Sequence, residues 1–235
     1  MINLARRVVA EATGTALLLA AIVGSGIMGE RLAGGNVAIA LLANTMATSA
    51  ALVALILTFG QISGAHFNPV VTLAAASQGG LSWRDVPPYI AAQIVGAFAG
   101  VAIAHVMFGL PLFFASHHAR AGGPQLISEF VATFGLLAVI LGCVRSRPKA
   151  VPFAVAAYIG AAYWFTASTS FANPAVTLAR SASDTFAGIR PTDAPGFVLA
   201  QLFGAFAATW LFRWLIPSPK EVSVVVTMRN EREQA

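Results

Sequence analysis

Asn68 to Ala74 reads N-P-V-V-T-L-A, and Asn173 to Ala179 reads N-P-A-V-T-L-A, six matches in seven positions at a separation of 105 residues. A near-identity of that length is an internal repeat, and each copy carries the signals of a helix start. Asn accepts free backbone N–H groups as an N-cap, and Pro suits the first helical position, where no N–H is missed. Apolar residues then continue only as far as Ser77-Gln78-Gly79-Gly80 in the first copy and Ser181-Ala182-Ser183-Asp184 in the second. That is far short of the roughly 20 residues needed to cross a bilayer. The heptads therefore predict two half-helices.

The surrounding chain is 57% hydrophobic and 10% charged, with a mean hydropathy of +0.77, against about 25% charged in an ordinary soluble domain. This is the composition of a polytopic membrane protein. The net charge of +5 comes from basic residues dispersed without aromatic interleaving, which excludes a nucleic-acid partner. A single cysteine, Cys143, excludes an intrachain disulfide framework and a multi-cysteine metal cluster. Arg6 and Arg7 precede a long apolar run with no polar cleavage region after it, which reads as a retained first span.

Hydropathy predicts six full spans: Val8 to Met28, Val37 to Phe59, Pro88 to Phe108, Leu126 to Val144, Val151 to Ser168 and Gly196 to Ile216. The half-helices fall after the second and fifth, so the order span, span, half-helix, span occurs twice. With three spans per copy, the second copy is inverted. Two further echoes support the duplication: A-Q-I-V-G-A-F-A-G from Ala92 matches A-Q-L-F-G-A-F-A-A from Ala200, and Glu11 with Thr15 matches Glu129 with Thr133. The expected organisation is one domain over 1–216, with inverted repeats at about 5–109 and 124–216, and a flexible polar tail over 217–235. Paired broken helices in inverted repeats place a solute site at the bilayer midplane. Ten basic residues fall in one set of alternate connections, against Arg31, Arg120, Arg180 and Arg190 in the other. Positive residues accumulate on the cytoplasmic side, so both termini are expected there.

Irregular backbone at membrane depth is tolerated only where protein buries it or where it lines a wet cavity. The turns Ser63 to Phe67 and Ser168 to Ala172 would present a ladder of carbonyl acceptors, and Asn68 and Asn173 would add amide donors where the half-helices meet. A small neutral solute could exchange its water hydrogen bonds for these at low desolvation cost. The positive ends of two helix dipoles at the same point would repel cations. An anion site is the competing reading.

The doubled boxes, S-G-A-H-F-N-P from Ser63, the Glu of the first and fourth spans and the paired A-Q-x-x-G-A segments closely resemble the major intrinsic protein family, the aquaporins and aquaglyceroporins. The resemblance covers about residues 5 to 216. It implies an all-α membrane fold of six helices and two re-entrant half-helices, a homotetramer in the lipid bilayer, and passive conduction of water and small neutral solutes. It also implies a selectivity filter at Thr48, Ala161, Ser170 and Val176, by spacing from the boxes. Family members usually carry Arg where Val176 stands. A ring of Thr, Ala, Ser and Val is expected to be wide and uncharged, suited to glycerol, urea or metalloid hydroxides. Atypical bacterial members lacking this Arg look like arsenite-conducting channels.

Glu11 and Glu129 are intramembrane carboxylates at equivalent repeat positions. Family resemblance gives them a role as acceptors for the buried loops; the alternative is a proton relay in a coupled secondary transporter. His66 is expected to pack in the loop beside the pore, and His117 with His118 to lie in an exposed connection. Arg180, four residues after Val176, shares its helix face one turn on. It either restores charge at the outer vestibule or is a solvated helix-end arginine paired with Asp184. No nucleophile with a base, cofactor loop or metal triad is present in the sequence, so no enzyme, cofactor or metal is expected. A nonconducting structural membrane protein is the third reading, and permeability in liposomes separates it from a channel.

Overall fold

The computed structural model describes residues 2–216, and the expected tail over 217–235 lies outside the described residues. Six long helices, α1 (Leu4–Leu32), α2 (Val37–Ser63), α4 (Val86–Met107), α5 (Gly123–Ser146), α6 (Val151–Phe165) and α8 (Ala194–Leu215), are joined by two short ones, α3 (Pro69–Ser77) and α7 (Pro174–Arg180). Most helices run past the apolar core predicted for them. The α1 helix begins four residues early because the Asn3 side chain accepts from Arg6 N at 3.0 Å. The α6 helix is the exception: it stops at Phe165, not Ser168, because Thr166 turns extended at φ −107°, ψ 139°. Its 15 residues span about 22 Å, and a 3-10 turn at Pro148–Ala150 leads into it.

The two halves mirror one another. In the first, α1 packs on α2 and α4; in the second, α5 packs on α6 and α8; α2 and α6 join the halves. Each half-helix also reaches across, α3 against α8 and α7 against α4. One face of the bundle gathers the starts of α1 and α4, where Arg7 pairs with Asp85 at 3.0 Å. It also holds the ends of α5 and α8, where Arg145 donates to Gln78 Oε1 at 3.3 Å and Arg213 to Ser77 O. The α3 carbonyl end is thereby capped by Arg213, with Arg145 on the side chain of Gln78 beside it. We call this the terminal face. Residues of the outer wall such as Val9, Met46, Phe206, Trp210 and Trp214 are more than 60% exposed, a band that suits lipid and not water.

The echoed A-Q-x-x-G segments sit at close helix crossings. A Cβ on Gly96 would lie 2.3 Å from Ala12 O, and one on Gly204 would lie 2.5 Å from Phe130 O. Backbone oxygens in a helix cannot step aside, so Gly96→Ala or Gly204→Ala must push apart the pairs α1/α4 or α5/α8. Each is expected to cost about 1–3 kcal/mol, read as a lowered Tm in detergent. Gly60→Ala in α2, where nothing lies within 4 Å, is expected to leave Tm level or raise it.

Candidate functional site

The re-entrant loops repeat one another in backbone geometry as well as in sequence. Gly64, Ala65 and Phe67 have φ of 91°, 49° and 50°, and their counterparts 105 residues on, Thr169, Ser170 and Ala172, have 59°, 53° and 48°. Left-handed backbone at non-glycine residues costs of order 1–3 kcal/mol each, so both loops must be held from outside. The holders are the intramembrane carboxylates. Glu11 is fully buried, and its Oε1 accepts from Ser63 Oγ at 2.6 Å and His66 N at 2.9 Å. Its Oε2 accepts from Phe67 N at 2.7 Å and Gln93 Nε2 at 2.8 Å. Glu129 accepts from Phe171 N and Ala172 N, both at 2.8 Å, and from Gln201 Nε2 at 2.6 Å.

Gln93 and Gln201 were visible in the sequence only as part of an echo, with no role attached. Each completes a bridge from a Glu to a heptad threonine: Gln93 donates to Thr72 Oγ1 and Gln201 to Thr177 Oγ1, both at 2.8 Å. The same Glu–Gln–Thr chain thus ties span, loop and half-helix together in each half. The His66 ring sits 3.1 Å from Thr72 Oγ1 and tilts against Tyr89; it is the His66 backbone, not its ring, that meets Glu11.

At the centre the half-helices meet through crossed bonds. Asn68 Nδ2 donates to Ala172 O and Asn173 Nδ2 to Phe67 O, both at 2.8 Å. Each Asn also caps its own helix, Asn68 Oδ1 accepting from Val70 N and Asn173 Oδ1 from Ala175 N and Val176 N. The carbonyls of 64–66 and 169–171 accept no hydrogen bond among the described residues, and five of these six residues border a cavity of about 460 Å³. That cavity runs from Gln78, Arg145 and Ile216 at the terminal face, past both asparagines, to Thr48, Ser170, Val176 and Arg180 on the far side. Its opposite wall is apolar, with Leu18, Leu52, Ile56, Leu136 and Val155.

Of the four filter positions expected from spacing, Thr48, Ser170 and Val176 border the cavity and are at most 3% exposed. Ala161 does not: it is exposed on the outer side of α6. The inward stripe of that helix runs Val151, Val155, Ile159, Tyr163, and Ala161 lies two residues, about 200° of helix turn, from its last two members. From that stripe Tyr163 borders the cavity beside Thr48, its hydroxyl 3.3 Å from Thr48 Oγ1. The expectation of a ring without aromatics or charge is corrected on both counts, because Tyr163, Phe171 and Arg180 all border the same end of the cavity. Ser170 Oγ is buried there without a partner.

Arg180 is 2% exposed, so it is not a solvated helix end, and Asp184 is engaged elsewhere. The Asp184 carboxylate accepts from His117 N at 2.8 Å and from the His117 ring at 3.0 Å, contacts that hold its pKa below the ordinary carboxylate range. His117 and His118 lie in an exposed connection, whose strand-like stretch pairs Phe114 N with Ala182 O and Ser116 N with Ser181 O. From the same connection Arg120 turns inward, donating to Gly188 O at 2.8 Å and Ser168 O at 3.0 Å. Burial lowers its pKa to about 10, so it stays charged at neutral pH. Among the described residues no group of three His, Cys, Asp or Glu side chains could hold a metal ion.

Comparisons with known proteins agree with this geometry. Residues 1–168 match the profile of the family described as Major intrinsic protein. The chain is 56% identical to Aquaglyceroporin AqpS of Rhizobium meliloti, over 94% of each chain. It is 32% identical to Probable aquaporin AqpM of Archaeoglobus fulgidus, over 91% of this chain and 98% of that one. The X-ray structure of the aquaglyceroporin from Plasmodium falciparum has the same fold, with a TM-score of 0.62 at 17% identity, covering 89% of this chain and 94% of that one.

Proposed function

The chain belongs to the major intrinsic protein family, and from that premise we propose that its pore conducts glycerol and metalloid hydroxides such as arsenite, together with water. It is an aquaglyceroporin-type channel in the membrane and not an enzyme. The observation that carries the choice of solute is the two-sided wall of the cavity. One strip offers carbonyl oxygens and the asparagine amides, and the facing wall is Leu, Ile and Val. A polyhydroxyl molecule can hydrogen-bond along the first while its carbon or metalloid side slides on the second, so little hydration is lost without replacement. Position 176 contributes a short apolar side chain and no guanidinium to the wall shared with Thr48, Tyr163 and Ser170, which favours solutes larger than water.

Glu11 and Glu129 serve in this reading as loop supports, and Asn68 and Asn173 as the midplane donors. The orientation with both termini in the cytoplasm follows from the charge asymmetry. Of the four basic residues assigned to the far side, Arg120 and Arg180 are buried in the protein, which leaves only Arg31 and Arg190 in solvent there. Four copies per assembly fit the apolar band of the outer wall. The test is stopped-flow permeability of the purified protein in liposomes, with water, glycerol and arsenite run in parallel. Glycerol and arsenite uptake above empty liposomes, linear in concentration and indifferent to a proton gradient, is the expected result. Saturating uptake driven by that gradient would support the coupled transporter, and no uptake by folded protein would support a structural role.

A further inference from the structure

We propose that Arg180 carries the pore charge that position 176 lacks, holding a guanidinium at the outer constriction, where it turns cations away and donates hydrogen bonds to the oxygens of neutral polyhydroxyl solutes. The inference rests on the channel reading above and names the residue that sets its specificity. The internal repeat marks the position. The residue 105 before Arg180 is Ala75, and Ala75 and Arg180 both border the cavity, as do Val71 and Val176 one turn nearer the midplane. The same wall position thus faces the pore in both halves, and only the second half charges it.

Long side chains on a helix point back toward its N-terminus, so a guanidinium on residue 180 is delivered nearer the midplane than its own Cα. The contacts bear this out: the Arg180 guanidinium lies 3.4 Å from the ring centroid of Phe171, the residue immediately after Ser170. Its Nε donates to Ala187 O. Its two Nη groups have no acceptor among the described residues, yet they are not among the buried atoms left without a partner. Arg180 is part of the cavity lining, which is the wet surface these groups have beside them.

Nor does any carboxylate neutralise the charge among the described residues. A guanidinium buried dry and unpaired would be costly; one on the wall of a wet pore has water and passing solutes as acceptors for its Nη groups. The Ser170 hydroxyl at the same level is buried without a hydrogen-bond partner, a second polar group behind the wall that Arg180 lines. Arg120 backs the arrangement, its guanidinium 5.0 Å from the Phe171 ring and its Nε and Nη1 spent on the carbonyls of Gly188 and Ser168. It positions the loop, while Arg180 faces the lumen.

The experiment measures potassium leak and glycerol uptake side by side, using the full chain in phosphatidylcholine liposomes. Wild type is expected to pass glycerol and to exclude potassium. Arg180→Gln is expected to raise potassium leak about tenfold or more while glycerol passes at a changed rate, its donor at the constriction replaced, and Arg180→Lys to keep the exclusion. Adding Val176→Arg to Arg180→Gln restores it. Should Arg180→Gln fail to assemble, Arg180→Met keeps an apolar stem over Phe171 and carries the same expectation. Wild type that leaks potassium, or a glycerol-conducting Arg180→Gln or Arg180→Met that excludes it as wild type does, overturns the proposal. Absence of glycerol uptake by wild type would instead overturn the channel's assigned solute.

Discussion

Glu11→Ala is expected to yield no folded protein, and Glu11→Gln to fold with a clearly lowered Tm. Four donors converge on this side chain: Ser63 Oγ, His66 N, Phe67 N and Gln93 Nε2. Alanine leaves them unpaired at a site with no access to water. Each unpaired buried donor costs roughly 1–3 kcal/mol, against a total stability of roughly 5–15 kcal/mol. The left-handed residues Ala65 and Phe67 would lose their restraint in the same step. Glutamine keeps one acceptor oxygen but must turn its NH2 toward either the His66 or the Phe67 backbone N–H. Ser63 and Gln93 can rotate away from that conflict; a backbone N–H cannot.

One buried N–H is therefore lost, and a stability loss of about 1–3 kcal/mol follows, read as a lowered Tm in detergent. Glu129→Gln, which faces Phe171 N and Ala172 N, is expected to behave alike. A wild-type Tm for Glu11→Gln, combined with uptake that has lost a response to the proton gradient, would reverse the assignment and make Glu11 a relay.

What the sequence disclosed and what it hid divide along physical lines. The half-helices were legible because a cap, a proline and an early stop are local signals, and duplication repeated them. Inversion followed from counting spans. The loop donors to Glu11 were implied by the family resemblance, but Gln93 was not legible: it lies 82 residues away, and nothing local distinguishes a glutamine that bridges two elements from one that is merely buried. Gly96 was visible as an echo, but its necessity appears only once Ala12 O stands in the place of its Cβ. Ala161 failed for a reason of phase. Spacing counted back from Asn173 fixes distance along the chain, while two residues of helix turn decide whether a side chain sees pore or lipid. Arg180 was seen as a choice between two roles, and spacing from Val176 could not decide; burial removes the solvated helix end, and the pore role is the one proposed above.

Val176→Arg is expected to lower glycerol and arsenite permeation at least about tenfold while reducing water permeation only a few-fold, an estimate set by the penalty for one misfitted contact in a constriction. Val176 is 3% exposed and borders the cavity beside Thr48, Tyr163 and Ser170, so a longer side chain has nowhere to go but into the lumen. Water needs the narrower passage and can use the new donors. Glycerol must give up either its contact with the apolar wall or its line of carbonyls. The new guanidinium would also stand one helix turn, about 5.4 Å, from the residue that carries Arg180, so both will seek the wet side and crowd the same gap. Val176→Leu separates bulk from charge: it fills the gap without donors and is expected to reduce water and glycerol together. Equal loss of every solute in Val176→Arg, with the protein folded, would mean that position 176 acts as a plug and not as part of a size filter. Arg180 would then have to account for the selectivity alone.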